Sequence, residues 1–489
     1  MSGYRILFFF LLQGLIFISP AANAGTDILV GTYLGNAQRH FYGNHAPDTL
    51  NLIWKTYIGH GETTISRRAG TRTWYGSGWT GQPLIVNEND RIFLLHGALD
   101  HHLRKIEAAT GEVIWKYRFD DVIKGTGSLW QNPAPDTQNC EIVIIQGSRL
   151  GAGRFIDMEP VPSLRGICFQ SGRELWRLNV HRTRSYSRDA DGSPLVLGGK
   201  AFMGLENGTF VVFDPDPAKA VSLEGMIQPV VYHTHPLYTS GDVHSHGGNL
   251  VTESSPCLLG DHIYVTAGSG HVYGYNIQKD TLDWEFFTGS DMDGSPVVAR
   301  QRWILVPVER QYVTGQGGLF MLDPRCRDTS AVVWYYPTGN RPFHTWQGGI
   351  VGSACVNDMT RWEKHPRMAA FIGIDGYLVI VQYDAPDLMR DPVWGPNKKH
   401  KYRCPREIDR IYIGPSISTP VWIGDKLIAA GYGGLYLFRV DANLEVHLLS
   451  RVPGVFESTP VVWAGRLYIG SRDGYLYCYG DIRYETDGK

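Results

Sequence analysis

The segment SPLVLGGKAFMGLENGTFVVFD, residues 193–214, decides the fold of this chain. Positions 201–205 and 210–213 carry only apolar residues and Gly, and Asn207-Gly208 lies between these two runs. An Asn-Gly pair favours a two-residue hairpin turn, because both central residues of that turn need a positive φ. Ser193-Pro194 opens the segment ahead of one more short apolar run. The segment therefore predicts three consecutive antiparallel strands.

The same pattern recurs along the chain. The stretch RLYIGSRDGYLYCY, residues 466–479, repeats the hairpin around Asp473-Gly474. Eight units open with a small or polar residue, and Pro follows it in seven of them: Gln82-Pro83, Asn132-Pro133, Ser193-Pro194, Ser255-Pro256, Ser295-Pro296, Ser353-Ala354, Thr419-Pro420 and Thr459-Pro460. Trp marks a closing strand in several units. Such four-stranded units, 40 to 66 residues apart, are typical of β-propeller blades.

The fold class predicted from these units is all-β, a single eight-bladed propeller of four-stranded blades over residues 49–482. The last unit, Thr459 to Tyr479, stops after its third strand, and an orphan strand, Leu52 to Ile58, precedes the first unit. We expect this N-terminal strand to close the last blade, because closure leaves no free sheet edge. Residues 25–48 are then an N-terminal extension, and residues 483–489 are a C-terminal tail.

Composition agrees with a large folded domain. The chain is 43% hydrophobic and 19% charged, which excludes a disordered class. Its formal net charge of −2 gives no general attraction to nucleic acids or anionic membranes. We expect a monomer without a nucleic-acid partner.

The first 24 residues have the pattern of a cleavable signal peptide. Arg5 precedes an apolar run over residues 6–18, and an A-x-A cleavage signal ends at Ala24. The run is too short for a stable transmembrane helix, and no other stretch is long and apolar enough to span a membrane. No Cys follows the cleavage point, so no lipid anchor is expected. These features predict a periplasmic or extracellular protein.

Seven cysteines lie after this segment, and none forms a C-x-x-C or adjacent pair. Zinc-ribbon, thioredoxin-type and c-type haem sites are therefore not predicted. Cys140 is expected to begin the second strand of its blade, and Cys168 to end the third. Antiparallel pairing would place the two side by side, so we predict a disulfide between them. The remaining pairing stays open.

The stretch from Ile106 to Trp115, with Thr110-Gly111 at its centre, resembles the quinoprotein-type (PQQ-like) repeat family and its x-D-x-x-T-G-x-x-x-W core. The resemblance covers roughly residues 50 to 480 and implies a propeller. The family includes quinone-dependent dehydrogenases and also non-enzymatic propellers, such as the lipoprotein of the outer-membrane barrel-assembly machinery. Its enzymes usually place an adjacent Cys pair against the cofactor, and this chain has no such pair. The fold alone does not choose between these functions.

Acidic residues recur three positions before the opening Pro, at Asp191, Glu253, Asp293 and Glu457. Asp189 and Asp291 lie two residues earlier in two of these units, and Thr80 and Trp130 take the equivalent place in others. We expect these side chains to converge at one mouth of the channel. They could hold Ca²⁺, a hard cation that prefers oxygen ligands, or an amine, with Arg188 relieving their repulsion. The alternative is turn chemistry, in which each Asp caps backbone amides.

Two further groups are candidates. Four histidines, expected in an insertion between the third and fourth blades, could bind zinc or copper or could simply be solvated: His233, His235, His244 and His246. Trp79 and Trp130 precede openings, where aromatic rings suit sugars, peptides or a quinone. Packing between blades is the alternative for these rings.

Common catalytic motifs of hydrolases, nucleotide-binding enzymes and zinc proteases are absent from the sequence. We therefore expect a binding or scaffold module, with a protein partner or a small ligand at the channel mouth, rather than an enzyme. One alternative is a PQQ- and Ca²⁺-dependent dehydrogenase, with PQQ stacked in the channel and Asp191, Glu253 or Asp293 as calcium ligands or base. Another alternative is a carbohydrate-binding propeller.

Overall fold

The computed structural model describes residues 25–135 and 140–481, and the predicted signal peptide lies outside them. Eight antiparallel blades are present, so the prediction of an eight-bladed all-β propeller is confirmed. Among the described residues, no helix combines the length and apolar composition needed to span a bilayer. Clusters of buried apolar side chains lie between neighbouring blades around the ring.

Blades 1 to 4 follow one another along the chain. Within each of them, the first strand lies at the channel and the fourth lies at the outer edge. Blade 1 contains Leu84–Glu88, Arg91–Gly97, His102–Glu107 and Val113–Arg118. Blade 2 contains Ser128–Gln131, Ile142–Gly147, Leu164–Cys168 and Glu174–Leu178. Blade 3 contains Leu195–Leu197, Lys200–Leu205, Thr209–Phe213 and Val231–Pro236. Blade 4 contains Cys257–Leu259, His262–Thr266, His271–Asn276 and Thr281–Phe287.

Blades 5 to 8 complete the ring. Blade 5 contains Val297–Ala299, Trp303–Val308, Gly318–Leu322 and Val332–Pro337. Blade 6 contains Cys355–Val356, Met368–Ile372, Tyr377–Pro386 and Pro405–Tyr412. Blade 7 contains Val421–Ile423, Lys426–Gly431, Gly434–Val440 and Val446–Val452. Blade 8 contains Val461–Trp463, Arg466–Gly470, Tyr475–Gly480 and, as its outer strand, Asn51–Tyr57.

The N-terminal strand closes the ring as the sequence predicts. Leu52 pairs with Tyr479, and Trp54 pairs with Cys478 in an antiparallel register. The first and last blades of the chain thereby become neighbours, and the sheet edge of blade 8 is covered.

Short elements lie outside the blades. The strand Thr26–Val30 lies on the channel side of blade 1. Three hairpins are formed by His60–Ser66 with Gly70–Tyr75, by Val221–Leu223 with Met226–Gln228, and by Val393–Trp394 with Lys401–Tyr402. The α-helix is Ser240–Ser245, and the two 3-10 turns are Pro217–Lys219 and Asp328–Ala331.

The predicted opening of blade 2 at Asn132-Pro133 is wrong by six residues. The inner strand of that blade is Ser128–Gln131, so Thr126-Gly127 is its opening. Pro is not what the position requires. The Thr126 hydroxyl accepts the backbone N–H of Gln82 from blade 1, at 2.8 Å, and a hydroxyl has this role in other blades.

These hydroxyls form a belt that joins neighbouring blades at their openings. The backbone N–H of each opening residue donates to the hydroxyl of the next opening in four consecutive steps, from Ser193 to Ser255, Ser295, Ser353 and Thr419, at 2.8–2.9 Å. All of these residues are buried. The Ser and Thr hydroxyls of the repeat therefore hold neighbouring blades together, because a buried N–H without a hydrogen-bond partner destabilises the fold.

The Trp of the closing strand performs the same task at the outer edge. Its indole N–H donates to a backbone carbonyl of the next blade, as Trp54 does to Ala108 at 3.1 Å and Trp115 to Phe169 at 3.0 Å. Gly111, at φ +79°, lies against the Trp54 ring, and an added Cβ would come within 2.7 Å of it. The Thr-Gly pair and the Trp of the repeat thus fit each other across the blade junction.

The predicted N-terminal extension has a structural role. Residues 31–46, which we call the channel segment, contact the opening or inner strand of every blade. The contacting residues, from blade 1 to blade 8, are Gln82, Leu129, Ser193, Leu258, Val298, Val356, Thr419 and Val462. The segment therefore occupies the channel below the openings and ties the eight blades together.

Two side chains anchor the channel segment. The Tyr33 hydroxyl hydrogen-bonds to those of Thr419 at 2.8 Å and Thr459 at 3.2 Å. Arg39 is fully buried, and its guanidinium donates to the carbonyls of Pro256 and Ser193, in blades 4 and 3. Burial lowers the pKa of Arg39 to about 10, so the guanidinium stays charged at neutral pH.

The disulfide between Cys140 and Cys168 is present, with Cα atoms 5.5 Å apart. The other five cysteines are free. Cys168 pairs with Val143 in the antiparallel ladder of blade 2, which brings the nearby Cys140 to its side as predicted.

The belt predicts a measurable cost of losing one hydroxyl. Ser295→Ala should lower the free energy of unfolding by about 1–3 kcal/mol, because the buried N–H of Ser255 loses its acceptor. Chemical denaturation of the purified full chain measures this change. Ser222→Ala, in an exposed hairpin strand, is the matched control and should change it by under about 0.5 kcal/mol. Equal effects of the two variants would contradict the role of the belt.

Removal of residues 25–60 should abolish cooperative unfolding. Blade 8 would lose its outer strand, and the channel would lose the segment that contacts all eight blades. Scanning calorimetry is the measurement. A truncated protein that melts like the longer form would contradict both the ring closure and the role of the channel segment.

Candidate functional site

One repeat position lines the mouth of the channel. It lies three residues before the second opening residue, and around the ring it is occupied by Thr80, Lys124, Asp191, Glu253, Asp293, Val351, Ile417 and Glu457. The position recurs in every blade, but the type of side chain at it changes from blade to blade. Blades 2 to 5 place charged groups here, and blades 6 and 7 place apolar ones. The mouth is therefore divided into a charged half and an apolar half.

The first acidic cluster surrounds an ammonium group. Asp191, Glu206 and Glu253 have carboxylate oxygens within 4.8 Å of one another. The Lys124 ammonium contacts Asp191 directly and lies 3.4 Å from Glu206 and 3.8 Å from Glu253. Although burial lowers the pKa of Lys124, Asp191 and Glu206 raise it well above its ordinary value. We call this group the lysine cluster; it contains its own cation.

Asp189 lies behind the lysine cluster. It accepts the Nε–H of Arg149 at 2.7 Å and the backbone N–H of Leu150 at 3.0 Å. Arg188 does not face these acids, contrary to the expectation from the sequence. It is fully buried and donates to carbonyls of Val180 and Met158. The relief of repulsion expected from Arg188 comes from Lys124 and Arg149 instead.

The second acidic cluster has no such cation. Asp291, Asp293 and Glu309 also bring carboxylate oxygens within 4.8 Å of one another. Within the described residues, no ion pair joins any of the three to a lysine or arginine. Asp291 accepts the side-chain N–H of Asn249 at 2.6 Å and the backbone N–H of Met292 at 2.9 Å. We call Asp291, Asp293, Glu309 and Asn249 the open cluster.

Two oxygens of the open cluster have no partner. The Oε1 of Glu309 and the Oδ1 of Asn249 are buried, and neither has a hydrogen bond within the described part of the chain. Both residues are more than nine-tenths buried, whereas Asp293 is partly exposed. A buried acceptor without a donor is unfavourable, and a bound cation would satisfy it.

Burial and mutual repulsion shift the titration of these acids upward. Burial raises the pKa of Asp291 and of Glu309 well above the ordinary values, and Asp293 adds to both shifts. In the lysine cluster, burial raises the pKa of Asp191 to about 6, although Lys124 opposes the shift. A raised pKa in the folded state means that the native protein binds protons more readily than the unfolded chain. For Asp191, the stabilisation that comes from this proton uptake at low pH is lost as the pH rises towards about 6.

The apolar half of the mouth is built around Trp79. This ring comes from blade 1 and packs against Val351, Ile374 and Ile417, in the segments of blades 6 and 7. Phe343 and Trp346 of the insertion between blades 5 and 6 cover the cluster. Trp130 lies elsewhere, because it belongs to the inner strand of blade 2 and is buried in the core between blades 2 and 3.

Glu457 lies apart from the other mouth acids. It accepts a hydrogen bond from the Tyr432 hydroxyl and lies 3.4 Å from the Arg472 guanidinium. The structure thus brings Asp191, Glu253 and Asp293 together in one half of the mouth and leaves Glu457 in a pocket between blades 7 and 8.

The four candidate histidines do not converge. His233 and His235 belong to the outer strand of blade 3 and not to an insertion, and their ring centroids are 6.1 Å apart. The Nδ1–H of His246 donates to the carbonyl of Gly268 at 2.6 Å, and its ring stacks on Tyr312. His244 lies in the short helix. None of the three groups of metal-ligating side chains found in the described residues contains any of the four.

Sequence reasoning missed Lys124, Glu206, Glu309 and Asn249. Lys124 was missed because the opening of blade 2 was placed six residues too late. Glu206 and Glu309 directly follow the second strand of their blades. The corresponding residues in the other blades are neutral, and five of the six are small: Ala98, Ser148, Ala267, Gly373, Tyr432 and Ser471. An acidic residue at this otherwise neutral repeat position was the signal that could have identified both Glu206 and Glu309.

The sequence matches no protein-family model and no curated protein. Solved structures do match. BamB from Moraxella catarrhalis matches at a TM-score of 0.52 and 12% identity, over 88% of this chain and 100% of that chain. The quinohemoprotein alcohol dehydrogenase from Comamonas testosteroni matches at 0.56 and 12%, over 96% and 83%. This chain has the fold of the PQQ-like β-propellers.

A europium-containing methanol dehydrogenase matches this PQQ-like propeller at a TM-score of 0.54 and 11% identity, over 92% of this chain and 98% of the other. At these identities the likeness shows the fold alone. The function must therefore be argued from the mouth itself.

The lysine cluster predicts a pH-dependent loss of stability. Lys124→Met should lower the free energy of unfolding by about 3 kcal/mol at pH 8, because buried carboxylates lose their ammonium partner. The loss should shrink towards pH 5, where these carboxylates take up protons in the folded state. Denaturant unfolding across this pH range is the measurement.

Lys219→Met is the matched control for that experiment. Its ammonium pairs with Asp214 at 2.9 Å, but the Lys219 side chain is 60% exposed, so the variant should change the free energy of unfolding much less than Lys124→Met does. A Lys124→Met variant with the same small, pH-independent loss would contradict the clustering of charge around Lys124.

Proposed function

We propose that this protein is an exported binding propeller whose open cluster holds a divalent cation, through which a ligand docks at the channel mouth. The observation that carries this proposal is the set of three mutually close carboxylates, Asp291, Asp293 and Glu309, with which no lysine or arginine of the described chain forms an ion pair. The predicted signal peptide supports export, and the protein partner or small ligand remains a matter for experiment.

The charge balance supports a cation. Seven carboxylates line or support the charged half of the mouth: Asp189, Asp191, Glu206, Glu253, Asp291, Asp293 and Glu309. Two basic groups, Lys124 and Arg149, pair with members of this set, and both stand on the lysine-cluster side. The lysine-cluster side thus has two cations for four carboxylates, whereas none of the described lysines or arginines pairs with the three carboxylates of the open cluster, so their negative charge favours protons or a metal ion there.

The donor set fits Ca²⁺. Hard cations prefer carboxylate and amide oxygens, and the open cluster offers three carboxylates and the unpartnered Oδ1 of Asn249. Turn capping explains part of the bonding of Asp291, which receives the N–H of Met292. It does not explain Glu309, which follows a strand and has a buried oxygen without a partner.

The cation would be reachable from solvent. Asp293 is partly exposed, so one side of the open cluster faces the mouth. The rim nearby carries Tyr186, which is 60% exposed, and the stacked pair His246 and Tyr312, with ring centroids 4.2 Å apart. A ligand with oxygen donors could complete the metal coordination while it contacts these rings.

The quinone-dependent dehydrogenase is the alternative for this fold. These residues do not fit PQQ itself. Its carboxylates would need cationic partners, and the nearest ammonium, Lys124, is already engaged by Asp191. Trp79, a ring that could stack on a quinone, is covered by Val351, Ile374 and Ile417. We therefore derive no reaction step through PQQ.

The proposal predicts Ca²⁺ binding that depends on the open cluster alone. Calorimetric titration of the EDTA-treated full chain at pH 7.5 should detect Ca²⁺ binding. Asp293→Asn and Glu309→Gln should each lower the affinity by about tenfold or more, while the melting temperature holds or rises. Binding should weaken at pH 5.5, because the raised pKa values of Asp291 and Glu309 let protons compete with the metal.

Asp191→Asn is the matched control, since Asp191 has the same repeat position as Asp293 but belongs to the lysine cluster. Its effect on Ca²⁺ affinity should stay within about threefold. Failure of the wild-type chain to bind Ca²⁺ would refute the proposal, as would equal binding by Glu309→Gln. A visible quinone spectrum together with dye reduction, after incubation with PQQ and Ca²⁺, would establish the dehydrogenase instead.

A further inference from the structure

A second pocket lies at the opposite side of the mouth, between blades 7 and 8. Its volume is about 520 Å³, and its lining includes His344, Tyr432, Glu457, Arg472 and Asp473. None of these residues belongs to the lysine cluster or the open cluster. We propose that this pocket binds a neutral saccharide, independently of the cation.

One wall of the pocket is aromatic. Tyr432 lies in the turn between the second and third strands of blade 7, and its ring meets that of Phe343 with centroids 4.6 Å apart. The ring of His344 lies 5.7 Å from that of Tyr432, at an interplanar angle of 40°. Flat ring faces bind the C–H faces of a sugar while they leave its hydroxyl groups free for hydrogen bonds.

The other wall is polar and fixed in place. Glu457 accepts the Tyr432 hydroxyl and lies 3.4 Å from the Arg472 guanidinium, with side chains 14% and 25% exposed. Asp473 is held by the Tyr477 hydroxyl at 2.6 Å and by the backbone N–H of Tyr475 at 3.2 Å. The wall thus presents carboxylate acceptors beside guanidinium donors, which is what a hydroxyl needs as both donor and acceptor.

His344 has a left-handed backbone conformation. Its φ is +52°, in a region that is uncommon for residues other than glycine but that histidine adopts more readily than most. The turn around it is closed by two backbone hydrogen bonds between Phe343 and Trp346, at 2.9 and 3.1 Å. Phe343 and Trp346 are in turn packed on the Trp79 cluster. The turn and its packing therefore fix the backbone of His344, whose ring lines the pocket.

The local charges select the type of ligand. Glu457 and Arg472 largely compensate each other, so the pocket has no uncompensated cation to capture an anion. Its acids are hydrogen-bonded within the protein, in contrast to the unpartnered oxygens of the open cluster. Within the described part of the chain, the charge of Asp473 is balanced by no cation, so the pocket with its aromatic rings suits a neutral, polyhydroxylated ligand better than an anion.

The test uses the full chain in EDTA, so that the cation site is empty and the two proposals can fail separately. Calorimetric titration with maltotriose, cellotriose and triacetylchitotriose should detect binding of at least one of them. His344→Asn should weaken that binding by about tenfold while the melting temperature holds or rises. Asn keeps the left-handed backbone at low cost but removes the ring.

Arg472→Gln tests the polar wall and should also weaken binding by about tenfold. Arg451→Gln is its matched control: Arg451 bonds the carbonyl of Gly433 nearby but does not line the pocket, so binding should be unchanged. Asp293→Asn should leave sugar binding intact. The proposal is overturned if none of the three trisaccharides binds, or if His344→Asn and Arg472→Gln both bind like the wild type.

Discussion

The hydrogen bond from one opening residue to the hydroxyl of the next opening is the constraint on which the rest of the structure depends. Each such bond fixes the distance and the rotation between two inner strands. Because the bonds are buried, a change of register at one blade would leave an N–H without an acceptor. In the blades that these bonds join, the residue three positions earlier is therefore held at the mouth, whatever its side chain.

The bonds that hold the blades together do not depend on the side chains at the mouth, so the fold tolerates unfavourable groups there. Burial raises the pKa values of Asp291 and Glu309, so these carboxylates oppose folding when they are ionised at neutral pH. The belt, the indole hydrogen bonds and the channel segment hold the ring together without them. The open cluster can thus combine charges that a less constrained loop would separate.

The strands and the ring closure were predictable because their signals are local or repeated. Asn207-Gly208 specifies a turn within four residues, and the Trp in Leu52 to Ile58 occurs in an outer strand, as Trp115 and Trp176 do in their blades. The opening of blade 2 was misplaced because Pro was taken as the marker, while the structural requirement is the hydroxyl of Thr126. The role of the channel segment was not predictable, since its contacts combine individual side chains with backbone groups and follow no repeat.

The candidate site was predictable in part for the same reason. Asp191, Glu253 and Asp293 share one repeat position, so the topology alone brings them to one side of the mouth. Glu206 and Glu309 come from a second repeat position, and only the spatial meeting of the two positions creates the clusters. No single-sequence pattern shows that Lys124 enters one cluster and leaves the other without a cation.

The channel segment also determines how a ligand can approach. The channel segment contacts all eight blades below the openings and so fills the channel beneath the mouth. A ligand at the mouth must therefore enter and leave from the same side. Above the channel segment, the charged half ends at Asp293 in blade 5, and the Trp79 cluster begins at Val351 in blade 6. A ligand that contacted both halves would need an anionic or oxygen-rich end for a bound cation and a flat apolar body for the rings. Two sites on opposite sides of one mouth are thus the natural result of an eightfold backbone whose equivalent positions carry different side chains.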